Sequence, residues 1–200
     1  MCSPWDGAPS RWTGSPRNWR RTWTWPAPTW PPWPGPRRSL SLSAPRGTDG
    51  LEGVRQDWLA SFESNVLTAV LLVEALREAI ERSGGRVVLL SSVAALRGSG
   101  GGAYGAVKAA LHGFVFDLAR ELGPHGGTAN VVAPGFVPDT EFWAGRLTAD
   151  SRRERAAQTL VGREGTPEEV AALISWLLGP DGGWMTGQVL SPNGGVVLGR

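Results

Sequence analysis

Hydrophobic and polar residues follow a regular pattern only in the part of the chain after residue 56. Apolar side chains recur every three or four positions between Leu59 and Val73, which predicts an amphipathic helix. Asp57 is suited to cap this helix at its start, and Gly84-Gly85 is suited to end it. The short run from Arg86 to Leu90 then predicts a buried strand.

Two more helices and two more strands are predicted further along the chain. A helix over residues 104–122 follows a glycine-rich loop and leads to a strand over residues 128–132. A third helix, over residues 166–178, begins with a threonine cap, a proline and a glutamate three positions after the cap. A last strand is predicted near residues 188–190. Because helices and strands alternate, the pattern predicts an α/β fold with parallel strands and crossover helices.

The first fifty residues show neither the helical nor the strand period. They hold ten of the 16 prolines, and seven of the 11 tryptophans lie between residues 5 and 33. Proline blocks helix interiors and central strands, so we predict an irregular Trp-, Pro- and Arg-rich segment over residues 1–50, in part polyproline II. One hypothesis for this composition is an out-of-frame translation of a GC-rich gene, because a frame one nucleotide earlier turns many tryptophan codons into leucine. The α/β part then comprises residues 51–200.

The net charge of +2 is unevenly distributed. Residues 1–50 contain seven arginines and two aspartates, a net charge of +5, which leaves −3 for the rest of the chain. The arginines stand between prolines and form no RNA- or DNA-binding pattern, so we expect no nucleic-acid partner. Cys2 is the only cysteine, which excludes an intrachain disulfide and favours a reducing compartment, the cytoplasm.

No uninterrupted apolar run approaches the roughly 20 residues that span a bilayer, so we expect no membrane span. The N-terminal residues also lack the continuous apolar stretch of a secretory signal. No cluster of metal-ligating residues is present in the sequence, and we expect His112 and His125 to be structural or exposed to solvent.

Tyr104 and Lys108 are the only tyrosine and the only lysine of the chain, and they stand four positions apart at the start of a predicted helix. Side chains at this spacing lie on one face of a helix. A phenol with a pKa near 10 is a poor base at neutral pH, but a neighbouring ammonium favours its ionised form, which suits acid/base chemistry. Taken alone, the pair is a weak motif, and an ordinary surface Tyr and Lys at this spacing is the favoured interpretation.

Several motifs surround this pair in a fixed order. Their residues are Asn65 in the preceding helix, Ser91-Ser92 at the end of a strand, Asn130 to Gly135 after the next strand, and Thr186-Gly187-Gln188 leading to Gly194-Gly195. With these motifs, residues 51–195 resemble the classical short-chain dehydrogenase/reductase family, in the branch that includes 3-oxoacyl carrier-protein reductases. The resemblance implies a Rossmann-like fold with a doubly wound parallel sheet. It also implies an oxidoreductase that uses NAD or NADP as its cofactor and acts on carbonyl or secondary alcohol substrates.

The resemblance also implies a role for each site residue. Tyr104 would exchange a proton with the substrate oxygen, and Lys108 would lower the pKa of Tyr104 and bind the nicotinamide ribose. Ser92 would polarise the carbonyl, although the spacing to Tyr104 leaves open whether Ser91 or Ser92 faces the site, and Asn65 would hold a water in a proton relay. Residues expected to contact the nicotinamide are Pro134, Gly135, Val137 and Thr140, and residues 141–162 match the loop that covers the substrate. Outside this constellation, Ser92 could instead cap a strand end, Asn65 could satisfy the helix backbone, and Pro134-Gly135 could be a simple turn.

One expected part of the family is missing from the sequence. The N-terminal strand and the Thr-Gly-x-x-x-Gly-x-Gly turn that bind the pyrophosphate have no counterpart in residues 1–50, so the N-terminal strands are missing or replaced and the fold is incomplete. Residues 98–103 fit a Gly-x-Gly-x-x-Gly/Ala pattern, but Tyr104 follows them directly, which argues against a phosphate loop. An alternative function is a non-catalytic truncated remnant that associates with itself or with a full-length relative. In the family, the helices around Asn65 and Tyr104 form subunit interfaces, so we expect a homo-oligomer.

Overall fold

The computed structural model of the protein describes residues 50–98 and 102–199. The predicted irregular segment lies outside these residues, apart from Gly50. The centre of the glycine-rich loop, residues 99–101, also lies outside them. The division of the chain into residues 1–50 and 51–200 therefore stays a prediction.

The described part contains a three-stranded parallel sheet, as the alternation of helices and strands predicted. The strands are β1 (Arg86–Leu90), β2 (Thr128–Val132) and β3 (Val189–Leu190), and they lie in the order β1-β2-β3. Arg86 is paired with Thr128, and Leu90 with Val132. Every residue of β2 is buried, which is typical of a central strand covered on both faces.

The first helix is longer than the sequence pattern predicted. It runs from α1 (Gly50–Phe62) through a π-helical turn (Glu63–Leu67) into α2 (Thr68–Ser83) without a break. The prediction that Asp57 caps the helix is wrong, because Asp57 lies inside α1, where Leu51 and Val54 continue the apolar spacing towards the N-terminus. The predicted end is confirmed, since Gly84 adopts the left-handed conformation (φ of +58°) that glycine tolerates after a helix.

This continuous helix of 34 residues, Gly50–Ser83, is long enough and apolar enough to cross a membrane by length and composition. The sequence-based expectation considered only uninterrupted apolar runs, whereas the helix spreads its apolar residues over a longer stretch. A core helix of a soluble protein meets the same criterion, so the feature is weak evidence. The absence of a membrane span therefore stays a prediction.

The core lies between the sheet and α4 (Tyr104–Leu122), whose bounds match the predicted second helix. Apolar side chains of α4 stand three or four positions apart and face the strands, as an amphipathic helix requires. The fully packed cluster contains Leu111, Val115, Leu118 and Leu122 from α4, with Val73, Leu89, Ala129 and Val131. A short helix, α3 (Ala94–Arg97), follows β1 and packs against α4. The helix α4 is thus held firmly on the sheet, with its first turn at the sheet's carboxyl edge.

Two helices follow β2. The sequence pattern did not predict α5 (Ala149–Ala157), because most of its residues are charged or small; Thr148 and Ser151 cap it reciprocally. The predicted third helix is observed as α6 (Pro167–Leu178), and its capping box joins Thr166 and Glu169 as expected. Short 3-10 turns occupy Gly123–His125, Glu141–Trp143 and Pro180–Trp184.

The side chain of Asn130 positions the last strand. Its Nδ2 atom donates to the backbone oxygen of Met185 at 2.7 Å, and its Oδ1 atom accepts from the backbone N–H of Gln188 at 3.1 Å. Asn130 is fully buried, so both bonds lie away from water, where an amide without partners would be costly. Asn130 therefore holds the segment before β3 against β2.

Candidate active site

The residues after β1 and β2 meet the first turn of α4 at the carboxyl edge of the sheet, where they line a cavity of about 430 Å³. In open parallel α/β sheets, ligands bind at this edge. The cavity wall includes Ser92, Tyr104 and Gly135, together with the aromatic residues Phe142 and Trp143. Three of the residues singled out in the sequence are thus brought together by the fold, although they lie far apart in the chain.

Ser92, and not Ser91, faces the cavity. The Ser91 hydroxyl is buried on the other side of the strand end, where it donates to the backbone oxygen of Lys108 at 2.9 Å and contacts the Nε2 atom of His112 at 2.9 Å. The Ser92 side chain hydrogen-bonds the Tyr104 side chain and accepts from the backbone N–H of Ala94 at 3.2 Å. The alternation of side chains along an extended segment sends the two serines to opposite sides.

Burial dominates the electrostatics of the Tyr104 and Lys108 pair. It raises the pKa of Tyr104 above the usual value, and the hydrogen bond with Ser92 lowers it to a smaller extent. Burial also lowers the pKa of Lys108. The Lys108 Nζ atom donates to the backbone oxygen of Leu90 at 2.9 Å and lies 5.9 Å from the centre of the Tyr104 ring. The expected lowering of the Tyr104 pKa by Lys108 is therefore not found in this arrangement, because the ammonium points to the end of β1.

Asn65 lies in the π-helical turn and is buried. Its Nδ2 atom donates to the backbone oxygen of Ser61 at 2.9 Å and to the Ser64 hydroxyl at 3.2 Å. The side chain thus bonds within its own helix rather than to Tyr104 or Lys108. Single π-helical turns inside α-helices are frequent at functional sites, because they free backbone groups from the regular helical pattern.

The four residues expected at the nicotinamide are divided between the cavity wall and its surroundings. Gly135 lines the cavity, and a β-carbon at this position would lie 2.7 Å from the Cα atom of Asn193, so glycine is needed there. Pro134 accepts a backbone hydrogen bond from Val93 at 2.9 Å. Val137 is half-buried and Thr140 is exposed, and neither lines the cavity.

Several cavity residues were not singled out individually in the sequence, although Phe142, Trp143 and Arg155 lie in the segment 141–162 that was expected to cover the substrate. Phe136, Phe142 and Trp143 form an aromatic cluster with ring centres 5.1 and 5.4 Å apart. Arg97 and Arg155 lie in the same wall but come from α3 and α5. They lie in an irregular segment, in a 3-10 turn and in the short helices α3 and α5, where neither the periodicity nor the short motifs marked individual side chains. The expectation of no metal site is not contradicted by the described residues, in which no group of three metal-ligating side chains occurs.

The parallel sheet defines a Rossmann-like α/β protein, and Ser92, Tyr104 and Lys108 form a candidate acid/base group at its carboxyl edge. The family model described as enoyl-(acyl carrier protein) reductase matches residues 42–197. The chain belongs to the short-chain dehydrogenase/reductase family, as the sequence motifs indicated.

Proteins that are similar to this chain include two reductases, as the family assignment leads one to expect. The short-chain reductase protein NovJ of Streptomyces niveus is 39% identical over 146 residues, which are 70% of this chain and 56% of that protein. The 3-oxoacyl-[acyl-carrier-protein] reductase FabG of Escherichia coli K12 is 36% identical over 145 residues, 72% of this chain and 59% of the relative. The chain thus spans a little under three fifths of the length of these relatives.

Solved structures also resemble the described fold. A blue fluorescent protein from a metagenomic library, in complex with NADPH, matches with a TM-score of 0.65 and 32% identity, over 72% of this chain and 57% of that one. The Pseudomonas aeruginosa RhlG/NADP active-site complex matches with a TM-score of 0.64 and 33% identity, over 70% and 58% of the two chains. These partial matches confirm a Rossmann-like fold that is incomplete relative to its neighbours.

The residues present fit the nicotinamide end of the cofactor that the family implies. The Lys108 ammonium has three N–H donors, and among the described residues only the Leu90 oxygen takes one of them. The remaining donors suit the hydroxyls of a ribose. Ser92 and Tyr104 each place a hydroxyl group in the wall of the cavity, which suits a carbonyl oxygen next to a nicotinamide ring.

Proposed function

We propose that the chain is the catalytic part of an NAD(P)-dependent oxidoreductase that reduces a carbonyl group to a secondary alcohol. The observation that carries the proposal is that Ser92 and Tyr104 line one cavity on the carboxyl edge of the parallel sheet, with the Lys108 Nζ atom 5.9 Å from the centre of the Tyr104 ring. The names of the similar proteins, which include several reductases, and the NADPH and NADP complexes among the similar structures support it.

The proposed mechanism assigns proton transfer to Tyr104. The raised pKa keeps its phenol protonated at neutral pH, so that it can donate a proton to the carbonyl oxygen during reduction. The Ser92 hydroxyl donates a hydrogen bond to the same oxygen and stabilises the charge that develops there. Nicotinamide, when bound, supplies the hydride that reaches the carbonyl carbon.

Lys108 and Asn65 support this step. We assign the free donors of the Lys108 ammonium to the ribose of the cofactor. Stabilisation of the phenolate that remains after proton transfer requires the ammonium to leave the Leu90 oxygen and turn towards Tyr104. Asn65 and the backbone of its π-helical turn hold a water that returns a proton to Tyr104 through Lys108. Pro134, Gly135, Val137 and Thr140 belong to the segment that we assign to the nicotinamide carboxamide.

We also propose a cytoplasmic homo-oligomer that acts on a small-molecule substrate, without nucleic-acid or membrane partners. Leucines that stand exposed along the first helix support the oligomer, because a chain usually covers apolar patches of this kind with a partner. These residues are Leu67, Leu71, Leu72 and Leu76. The single cysteine is consistent with a reducing compartment.

Fluorescence titration with NADH and with NADPH tests the proposal on the full chain. We expect saturable binding of at least one cofactor and turnover of a ketone that Tyr104→Phe lowers by about a hundredfold or more while cofactor binding is retained. Phe keeps the ring and removes only the hydroxyl, so it is a matched control for packing. No saturable binding of either cofactor would refute the activity for this chain.

A further inference from the structure

Two arginines lie in the wall of the cavity that holds Ser92 and Tyr104. Arg97 is the last residue of α3, and Arg155 lies in the last turn of α5, so they reach the cavity from two different elements. No aspartate or glutamate belongs to the described wall of this cavity. The cavity wall therefore carries a net positive charge, and the proton transfer proposed for Ser92 and Tyr104 does not require this charge.

Aromatic rings fix the orientation of the Arg155 side chain. Its guanidinium carbon lies 4.9 Å from the ring centre of Trp143 and 5.9 Å from that of Phe136. Stacking on a ring face holds the guanidinium plane while its N–H edge stays available for a hydrogen-bond acceptor. Within residues 50–98 and 102–199, no side chain or carbonyl accepts a hydrogen bond from this guanidinium. The Arg155 side chain is half-buried, the two rings set its orientation, and its N–H groups have no described acceptor. The guanidinium is therefore suited to bind a ligand.

The other arginines of α5 are paired, which sets Arg155 apart. Arg152 binds both Asp139 and Glu164, and Arg153 binds Asp150. The carboxylates of Asp139, Asp150 and Glu164 are therefore already used by arginines that do not line the cavity. Arg155 has no described carboxylate partner within 4.0 Å, which leaves its charge available to a substrate.

Arg97 is the second arginine of the cavity wall, and it comes from α3. One of its nitrogens donates to the Oε1 atom of Gln158 at 3.1 Å, which is a neutral partner and leaves its charge uncompensated among the described residues. Gln158 stands three positions after Arg155 and also lines the cavity. Gln158 thus connects Arg97 to the end of the helix that carries Arg155.

We propose that Arg97 and Arg155 select a carbonyl substrate that carries a separate oxyanion group, a carboxylate or a phosphate. This inference rests on the proposed function, because Ser92 and Tyr104 define where the reacting carbonyl oxygen lies. A guanidinium presents two parallel N–H donors that match the oxygens of a carboxylate or a phosphate. The cavity then holds both ends of the substrate, the carbonyl at Tyr104 and the anion at the arginines.

Binding of matched anionic and neutral ligands to the full chain tests this inference. NMR titration compares acetoacetate with methyl acetoacetate, and dihydroxyacetone phosphate with dihydroxyacetone. We expect the anion of at least one pair to bind about tenfold more tightly than its neutral counterpart. The pair that shows the preference identifies the oxyanion as a carboxylate or a phosphate.

Variants locate the preference at the two arginines. Arg97→Gln and Arg155→Gln should each lower the preference for the anion about tenfold or abolish it, whereas Arg153→Gln, which removes the same charge outside the cavity, should retain it. Arg155→Lys keeps a positive charge near Trp143 and should retain part of the preference for the anion. It tests the role of the charge even if Arg155→Gln does not fold. Equal binding of the anionic and neutral ligands in both pairs, or a preference that survives both glutamine substitutions, would overturn the inference.

Turnover measured with NADPH and NADH separates this inference from the proposed function. Selective anion binding without turnover of any ketone would contradict the proposed oxidoreductase but leave the anion site in place. Turnover of neutral and anionic ketones at equal kcat/KM would support the oxidoreductase and overturn the anion site. Tyr104→Phe should lose turnover and retain the selective binding of the anion.

Discussion

The Nε2 atom of His112 lies 2.9 Å from the Oγ atom of Ser91, one helical turn beyond Lys108. The Ser91 hydroxyl donates to the backbone oxygen of Lys108, so it accepts from His112, whose ring carries the proton on Nε2. This chain of hydrogen bonds ties the end of β1 to the helix that carries Tyr104. His112 thus has a structural role next to the proposed catalytic group.

We expect the stability of the fold to decrease in acid through His112. Burial lowers the pKa of His112 below its usual value of 6.5, so the folded chain favours the neutral ring while the unfolded chain binds the proton more readily. The contribution of the neutral His112 ring to the stability of the fold is therefore complete above about pH 6.5. It is lost as the pH falls through the lowered pKa of His112 in the folded chain. Urea unfolding at a series of pH values measures this as a falling midpoint below pH 6.5.

His112→Asn should flatten this dependence on pH, since it removes the titrating ring. His125→Asn is the matched control, because His125 is exposed in a 3-10 turn away from the strand end, and it should show the slope of the unsubstituted chain. An unchanged slope in His112→Asn would contradict the assignment.

The two neighbouring serines should respond differently to substitution. Ser91→Ala removes a buried hydroxyl with two partners and should lower the free energy of unfolding by about 1–3 kcal/mol. Ser92→Ala should change stability by only about 0.5 kcal/mol but lower ketone turnover by about a hundredfold. Denaturant unfolding and steady-state kinetics measure the two effects. A reversed pattern would place Ser91 in the site instead.

Gly135 should not tolerate a side chain. A β-carbon there would lie 2.7 Å from the Cα atom of Asn193, so Gly135→Ala should destabilise the fold by about 1–3 kcal/mol and disturb the cavity. Gly113→Ala is the control, because a β-carbon in the middle of α4 meets nothing within 4 Å and should stabilise the helix by about 0.5–1 kcal/mol. Thermal melts should show a lower melting temperature for Gly135→Ala and a higher one for Gly113→Ala. An unchanged melting temperature in Gly135→Ala would contradict the close contact between residue 135 and Asn193.

The exposed leucines of α2 should belong to the proposed subunit interface. Leu71 is 64% exposed, and Leu71→Glu should shift the protein to a smaller species in light scattering, because a charge opposes burial in an apolar interface. Leu198→Glu changes a leucine that is 71% exposed outside this helix and should leave the size unchanged. If the unsubstituted chain is a monomer, the proposed homo-oligomer is wrong.

Re-translation of the gene tests the origin of residues 1–50. If the segment is read out of frame, the frame one nucleotide earlier should encode leucine-rich helical sequence, with a glycine-rich turn further upstream. That turn would supply backbone N–H groups for a pyrophosphate. The absence of such a turn from every upstream frame would refute the hypothesis.

The sequence predicted the main helices and strands well where the interactions are local. The cap at Thr166 and Glu169 and the four-residue spacing of Tyr104 and Lys108 need only neighbours along the chain, and the structure has them at the expected positions. The start of the first helix was predicted incorrectly at Asp57, because a residue suited to a cap also tolerates an exposed helix interior. The short helix α5 was missed because capping, and not an apolar period, defines it.

The sequence by itself determined the family, through short motifs in a fixed order, and the parallel α/β class, through the alternation of helices and strands. Only the tertiary structure decided that Ser92 faces the cavity, that Lys108 binds the Leu90 oxygen, and that Arg155 stacks on Trp143. Capping and periodicity act over three or four residues, so they can be read along the chain. The contacts that build the site join residues 12 or more positions apart, and only the packing of the sheet, α4 and α5 brings them together.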